Sequence, residues 1–399
     1  MILLSHSLCS KVASTAHLCV LALSLAVSIE DNIIRQIILL SAIVVYLISD
    51  IDSETALLFF LGIIGLLILG VAEELIIIYL SIELVSLSFY ILAARERKGM
   101  KSTEAGIKYF VLGALSSGIL LMGITIVYAQ TGSTDLELID NYSRSLIVVA
   151  LLFKLGAAPF HMWVPDVYEG AATIITTFFA VVPKIAYFGV LMKLGGGDSI
   201  IVAGLISIFV GSIGAINQTK IKRMLAYSAI GHVGFMLLGI GVATYSSFQA
   251  TIIYMIIYIV MTINSFTIVI SQGISKIAEL RGFSRRNGVL AITFGVGLMS
   301  IAGVPPLAGF YNKYLVVLSA VQNNFILYAL IAILFSVISS FYYVRLIRFM
   351  FFVDLAEISV HSFKINAFKA CILGISTFFI LTSMLYPSVL MEITLPRIY

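Results

Sequence analysis

Charge is scarce in this chain: only 11% of its 399 residues are Asp, Glu, Lys or Arg, where a soluble globular protein carries roughly 25%. The deficit excludes a soluble multidomain protein, because most of the surface must face something other than water. Net charge is just +4, and no Lys/Arg stripe is interleaved with aromatics, so nucleic acid is not a partner. The three cysteines, Cys9, Cys19 and Cys371, lack CxxC spacing. They supply neither a disulfide framework nor the ligands of an iron–sulfur cluster held by this chain alone. No G-x-G-x-x-G or G-x-x-x-x-G-K-[ST] loop occurs, which removes support for nucleotide binding. The five histidines show no spacing that argues for haem or metal.

What the chain has is apolar sequence, 61% of residues, with mean hydropathy +1.11. A membrane-crossing helix needs about 20 mostly apolar residues. Runs between polar breaks give thirteen candidate spans, near 11–28, 33–49, 55–72, 73–94, 104–128, 144–160, 173–194, 199–216, 223–243, 247–272, 288–319, 324–347 and 366–390. The first follows only Lys11 and lacks a small-residue cleavage site, so it is expected to be a retained span. The second is short, and Pro305-Pro306 interrupts the eleventh. No run alternates as a barrel strand does, so the predicted fold is all-α, a polytopic membrane helix bundle.

Loop charges orient the spans. With strict alternation one side collects fifteen basic residues: Arg95, Arg97, Lys98, Lys101, Lys220, Lys222, Arg223, Lys276, Arg281, Arg285, Arg286, Arg345, Arg348, Lys364 and Lys369. The other side holds Arg35, Arg144, Lys193 and Arg397. That asymmetry is what the positive-inside rule demands, and a miscounted span between 95 and 370 would scatter it.

Three lysines do not belong to any loop. Lys154, Lys184 and Lys313 lie inside apolar runs, each near a proline. A charge at mid-membrane costs at least about 2.5–3.5 kcal/mol, and such residues usually line an ion or proton path. Lysine can shed its proton when buried and arginine effectively cannot, so this choice points to proton transfer. Glu83 is the acid well inside a span and a natural partner for Lys154 on a neighbouring helix. A structural ion pair or a misplaced boundary is the alternative for any one of these residues. His232, flanked by small residues, is either a packing hydrogen bond or a proton relay. His161 reads as a hydrogen-bonded structural histidine, and Lys108 and Lys193 as residues reaching out to the interface. Trp163 is expected to anchor at the membrane interface, while Asp166 and Glu169 either bind basic loops or collect protons. The prolines at 159 and 305–306 predict two broken helices about 150 residues, roughly five spans, apart. Corresponding broken helices mark inverted-repeat transporters.

The string FKLGAAPFHMWVPDVYEGA, followed by VPKIAYFGVL, resembles the antiporter-like subunits of the proton-pumping NADH:ubiquinone oxidoreductase, respiratory complex I, and among them subunit 2. The similarity continues through SIELVSLSFYIL, STEAGIKYFVLGALSSGILL, QTKIKRMLAYSAIGHVGF and GVPPLAGFYNKYLV, covering roughly residues 55–350. It implies two inverted five-helix repeats, at 55–194 and 195–350, after unplaced N-terminal segments at 1–54 and before a C-terminal loop and last helix at 351–399. It also implies a proton relay of Glu83, Lys154, Lys184 and Lys313, with weaker support for His232. No redox cofactor would sit in this chain; NADH, FMN, iron–sulfur clusters and ubiquinone would belong to partner subunits. The expected partners are other membrane-arm subunits and the bilayer, with bound cardiolipin. The implied location is the mitochondrial inner membrane, or a bacterial plasma membrane. Thirteen spans fall one short of the fourteen typical of bacterial members, which fits a shortened mitochondrial version from a non-animal lineage. An Mrp-type cation/proton antiporter subunit is the alternative within the same fold.

Overall fold

The computed structural model of the chain describes residues 33–49, 51–96, 99–136, 139, 141–353 and 365–394. The candidate span at 11–28 lies outside them, as do Arg97, Lys98, Lys364 and Arg397. The helices, in chain order, are α1 Ile33–Ile48, α2 Ser53–Val71, α3 Leu75–Ala93, α4 Met100–Thr131, α5 Asn141–Leu155, α6 Trp163–Gly170, α7 Thr173–Leu194, α8 Asp198–Gly214, α9 Ile221–Val242 and α10 Tyr245–Gln272. A 3₁₀ turn at Ile277–Leu280 and the four-residue α11 Phe283–Arg286 lead to α12 Gly288–Ala302, α13 Ala308–Gln322, α14 Ile326–Phe351, α15 Ala367–Thr382 and α16 Pro387–Thr394. Among the described residues there is no strand, only two isolated bridges, Glu74 with Asp135 and Lys220 with Lys276.

Each of the other twelve candidate spans coincides with a helix or a broken pair of helices. Among the described residues seven helices are long and apolar enough to cross a membrane, or eight if the bent pair α15 and α16 counts as one span. A count of thirteen therefore does not follow from helix length alone: α1, α8 and α12 are apolar but shorter, and α5 ends in a break. One feature was not legible as a run of apolar residues. The last candidate, 366–390, is bent by 100° between α15 and α16. Pro387 opens α16, and the residue before a proline is pushed away from helical backbone angles.

The chain divides into two compact units, residues 1–151 with 170–194, and residues 152–169 with 195–399. In the first, α7 is buried along almost its whole length and takes α2 and α3 against it through aromatic rings. Phe178 meets Phe59 at 4.3 Å and Phe89 at 5.4 Å, centroid to centroid. Lys193, in the last turn of α7, donates to the Ala72 carbonyl at 2.9 Å. In the second unit α9 and α10 form the buried centre. Its basic residues gather at one end. Ile221 donates to the Ser275 carbonyl and Ile277 to that of Thr219. Arg345 reaches the Ile216 carbonyl at 2.9 Å, and both Arg281 and Arg345 lie over the Phe349 ring.

Candidate functional site

Two helix breaks position the charged residues, and both are built the same way. Gly156 has φ +69° and Gly303 has φ +89°, left-handed values that only glycine adopts without strain. At the first break Ala157 donates to the Leu152 carbonyl at 2.9 Å and Gly156 to that of Phe153 at 3.1 Å. At the second, Val304 donates to Met299 at 3.1 Å and Gly303 to Ser300 at 2.9 Å. Each is a Schellman stop, a glycine C′ residue closing the last turn. Three residues after each glycine comes a proline, Pro159 and Pro306, which has no N–H to continue the ladder.

Lys154 lies in the last turn of α5, next to its final residue Leu155, and is 8% exposed. The indole of Trp163 donates to the Phe153 carbonyl at 2.9 Å, and the Ala158 N–H donates to the Ser207 hydroxyl at 2.8 Å. Trp163 is therefore buried, at 7% exposure, and secures the break. The expectation of an interfacial anchor is corrected, because its ring nitrogen is consumed by a carbonyl that the broken helix leaves within reach. His161 is half-buried in the same turn. Burial pushes its imidazole below the usual range, and the Pro159 backbone counters this in part.

Beyond that turn, α6 is tied to the start of α9. Glu169 pairs with Lys220 and with Arg223, and Asp166 lies 3.5 Å from Arg223. Of the two roles open to these acids, both bind basic residues.

Lys313 reaches back across the second break. Its amine donates to the Ala302 carbonyl at 2.8 Å and lies 5.6 Å from the centre of the Phe235 ring. His232, one turn before Phe235 on α9, is 5% exposed. Its Nδ1 shares a hydrogen bond of 2.8 Å with the Tyr254 hydroxyl, and its ring stands 5.4 Å from that of Tyr258. His232 and Lys313 line one cavity of ≈ 20 Å³ together with Ser228, Tyr342 and Tyr343. A second, of ≈ 10 Å³, shares His232 and Ser228 and adds Tyr258, Thr262 and Ser265. A water needs roughly 10–15 Å³ of such space and two to four polar partners, so the first has room for one.

The first unit holds the other two candidates. Lys184 follows Pro183 inside α7 and is 6% exposed. Pro183 cannot bond to the Phe179 carbonyl, which leaves that acceptor beside the lysine's turn. Glu83, half-buried on α3, accepts from the Ser86 hydroxyl at 3.4 Å, and its Oε1 is buried without a partner. Lys154 belongs to the second unit, so the structure brings His232 and Lys313 together and describes Glu83 and Lys154 each within its own unit. Sequence reasoning missed Tyr254, Tyr258, Ser228, Tyr342 and Tyr343. Hydroxyls within apolar runs are ordinary, so nothing in the sequence sets these four tyrosines and one serine apart.

Comparisons with known proteins agree with this geometry. Residues 72–339 match the family described as NADH:quinone oxidoreductase/Mrp antiporter, TM. The chain is 40% identical over 369 residues to NADH-ubiquinone oxidoreductase chain 2 of Metridium senile, covering 86% of this chain and 96% of that protein. It is 39% identical over 332 residues to NADH-quinone oxidoreductase subunit N of Rhodospirillum rubrum, covering 76% and 68%. Among solved structures it superposes on a chain of respiratory complex I from Thermus thermophilus with a TM-score of 0.87 at 28% identity, covering 96% of this chain and 93% of that one. With the family matched over more than half its length, and a relative 40% identical matched nearly end to end, the chain belongs to the NADH:quinone oxidoreductase/Mrp antiporter family.

Proposed function

We propose that this chain is a membrane-arm subunit of a proton-translocating NADH:quinone oxidoreductase, taking part in proton movement while partner subunits oxidise NADH and reduce quinone. The reading rests above all on the 40% identity to chain 2 across 96% of that relative. The chain is a multi-pass protein of the mitochondrial inner membrane or of a bacterial plasma membrane. It carries no redox cofactor of its own, so pumping is driven through neighbouring subunits, with other complex I membrane-arm chains and the bilayer, cardiolipin included, as partners. The antiporter-like repeats occupy 55–194 and 195–350.

Glu83, Lys154, Lys184, His232 and Lys313 form the relay. A lysine in such surroundings that gains or loses an opposing charge nearby gains or loses its proton. Lys154 takes a proton when Glu83 moves or changes charge, Lys184 passes it along the membrane midplane, and Lys313 releases it. His232 supports that last step through the cavity it shares with Lys313. An Mrp-type antiporter subunit shares the fold and is the other reading that the family description allows, but relatives of 39–40% identity bear complex I names.

Native separation of source membranes with in-gel NADH oxidation tests the assignment. Co-migration with a very large NADH-oxidising assembly is expected; a smaller assembly without that activity would move sodium/proton exchange to the front. Lys154→Ala tests the relay. The variant complex should assemble and lose coupled turnover, and full activity with intact pumping would remove Lys154 from it.

A further inference from the structure

The second break carries one hydroxyl that the relay does not use. Ser300, near the end of α12, is fully buried. Its hydroxyl accepts from the Gly309 N–H of α13 at 3.1 Å, across the break, and donates to the Met261 thioether of α10 at 3.1 Å. A serine inside a helix can instead bond a carbonyl one turn back in its own helix, as Ser265, Ser319 and Ser376 do. Ser300 joins three helices at one point.

The need for that bond is local. The first four N–H groups of a helix have no partner within it, and a side-chain oxygen at the N-cap commonly supplies one. The N-cap of α13 is Leu307, with no side-chain cap, and the turn before it, Val304-Pro305-Pro306, has no polar side chain either. Ser300 therefore caps α13 from the other half of the broken helix. The two halves approach closely there. A methyl group on Gly309 would lie 1.7 Å from the Ser300 carbonyl oxygen and 3.2 Å from the Met261 sulfur, so only glycine fits.

The bond bears on Lys313 through helix geometry. Residues i and i+4 share a helix face, and side chains tilt toward the helix N-terminus. Lys313 comes four residues after Gly309. Its side chain thus leaves the face that Ser300 holds and runs back over that contact to the Ala302 carbonyl, 2.8 Å from the amine. A rotation or slide of α13 that broke the Gly309–Ser300 bond would carry the amine off Ala302 and shift it within the cavity it shares with His232.

We propose that Ser300 is a positioning residue for proton transfer at Lys313. By capping α13 across the break, its hydroxyl fixes the rotation of that half-helix and keeps the Lys313 amine on Ala302; it takes no proton itself. This inference rests on the relay reading above, in which Lys313 exchanges protons.

The test uses the assembled oxidoreductase in sealed membrane vesicles and reads protons moved per electron at equal amounts of assembled complex. Ser300→Ala removes the oxygen and adds no atom, and the ratio should fall severalfold. Ser300→Thr returns an acceptor and should recover most of it. A serine that only stabilised the fold would change the amount of complex and leave the ratio alone. Ser300→Cys offers a weak acceptor; its ratio should fall between those of serine and alanine, and it gives the reading if Ser300→Ala does not assemble. Lys313→Ala and the double variant with Ser300→Ala are run alongside. Residues that act through one another are not additive, so the double variant should pump as Lys313→Ala does. A lowered ratio in Lys313→Ala with a normal one in Ser300→Ala, or in Ser300→Cys where it stands in, overturns the positioning role and leaves the relay standing. A ratio in Ser300→Thr no better than in Ser300→Ala also overturns it, because the oxygen would then not be the cause. A normal ratio in Lys313→Ala overturns the relay and the positioning role with it.

Discussion

At Lys313 a carbonyl that the broken helix leaves free does the work of a counter-charge. The amine donates to Ala302 at 2.8 Å and lies over the Phe235 ring. A cation–π contact of this kind contributes about 0.5–2 kcal/mol against an insertion cost of about 2.5–3.5 kcal/mol for the charge. The ammonium is thus tolerated but not secured, which suits a group that must change protonation. Arginine at the same place would keep its charge at any working pH. Lys313→Arg is therefore expected to assemble near the normal level and to lose most proton translocation per electron, read as dye-detected acidification against NADH oxidation. Normal pumping in that variant would mean that a fixed charge suffices. The lysines themselves were legible in the sequence because charge in an apolar run is conspicuous. Their surroundings were not: Tyr254, Tyr342 and Tyr343 look like any aromatic residue of a membrane helix until neighbouring helices bring their oxygens together.

At the level of the element, the two breaks share one construction, a left-handed glycine followed three residues later by proline. The prolines made the breaks legible. The glycines did not stand out among 30 in the chain, and the flanking apolar residues differ too much for the common pattern G-x-x-P to show. Structure separates the two glycines by what a methyl group would meet. At Gly156 it would lie 2.2 Å from the Val164 Cγ2, and at Gly303 3.1 Å from the Lys313 side chain. A non-glycine residue in this conformation costs roughly 1–2 kcal/mol, and at Gly156 the collision with Val164 adds to it. Gly156→Ala should accordingly lower the amount and the heat resistance of the assembled complex in a native gel. Gly303→Ala meets only the far end of a flexible chain, so it should assemble better than Gly156→Ala yet couple poorly, because the Lys313 amine is displaced from Ala302. Equal loss of assembly in both would mean that backbone strain alone governs the breaks. The bend between α15 and α16 escaped sequence reading for a related reason: Pro387 sits near the end of an apolar run, where it reads as a boundary and not as a corner.

For the whole chain, the charge asymmetry of the loops is the strongest orienting signal, and within the second unit the basic residues of 216–223, 276–286 and 345–348 do meet at one end. The weak point is α8. It has 17 residues, about 26 Å at 1.5 Å per residue, against a hydrocarbon thickness of about 30 Å. If α8 failed to cross, the loop before it would lie on the basic side and Lys193 would join the majority charges. Two exposed positions, separated by α8, α9 and α10, decide this. Gly197 has φ 168°, extended backbone open to any residue, with no atom within 4 Å of an added Cβ. Ser275 lies in the turn after α10 and bonds only Glu279 through its side chain. With Cys9, Cys19 and Cys371 replaced by serine, Gly197→Cys and Ser275→Cys should react with a membrane-impermeant maleimide from opposite faces of sealed vesicles, Ser275→Cys from the face that carries the NADH-oxidising activity. Three crossings place the two positions on opposite sides; two place them on the same side. Labelling of both from one face would therefore mean that one of the three helices does not cross, and the short α8 would be the one to reassign.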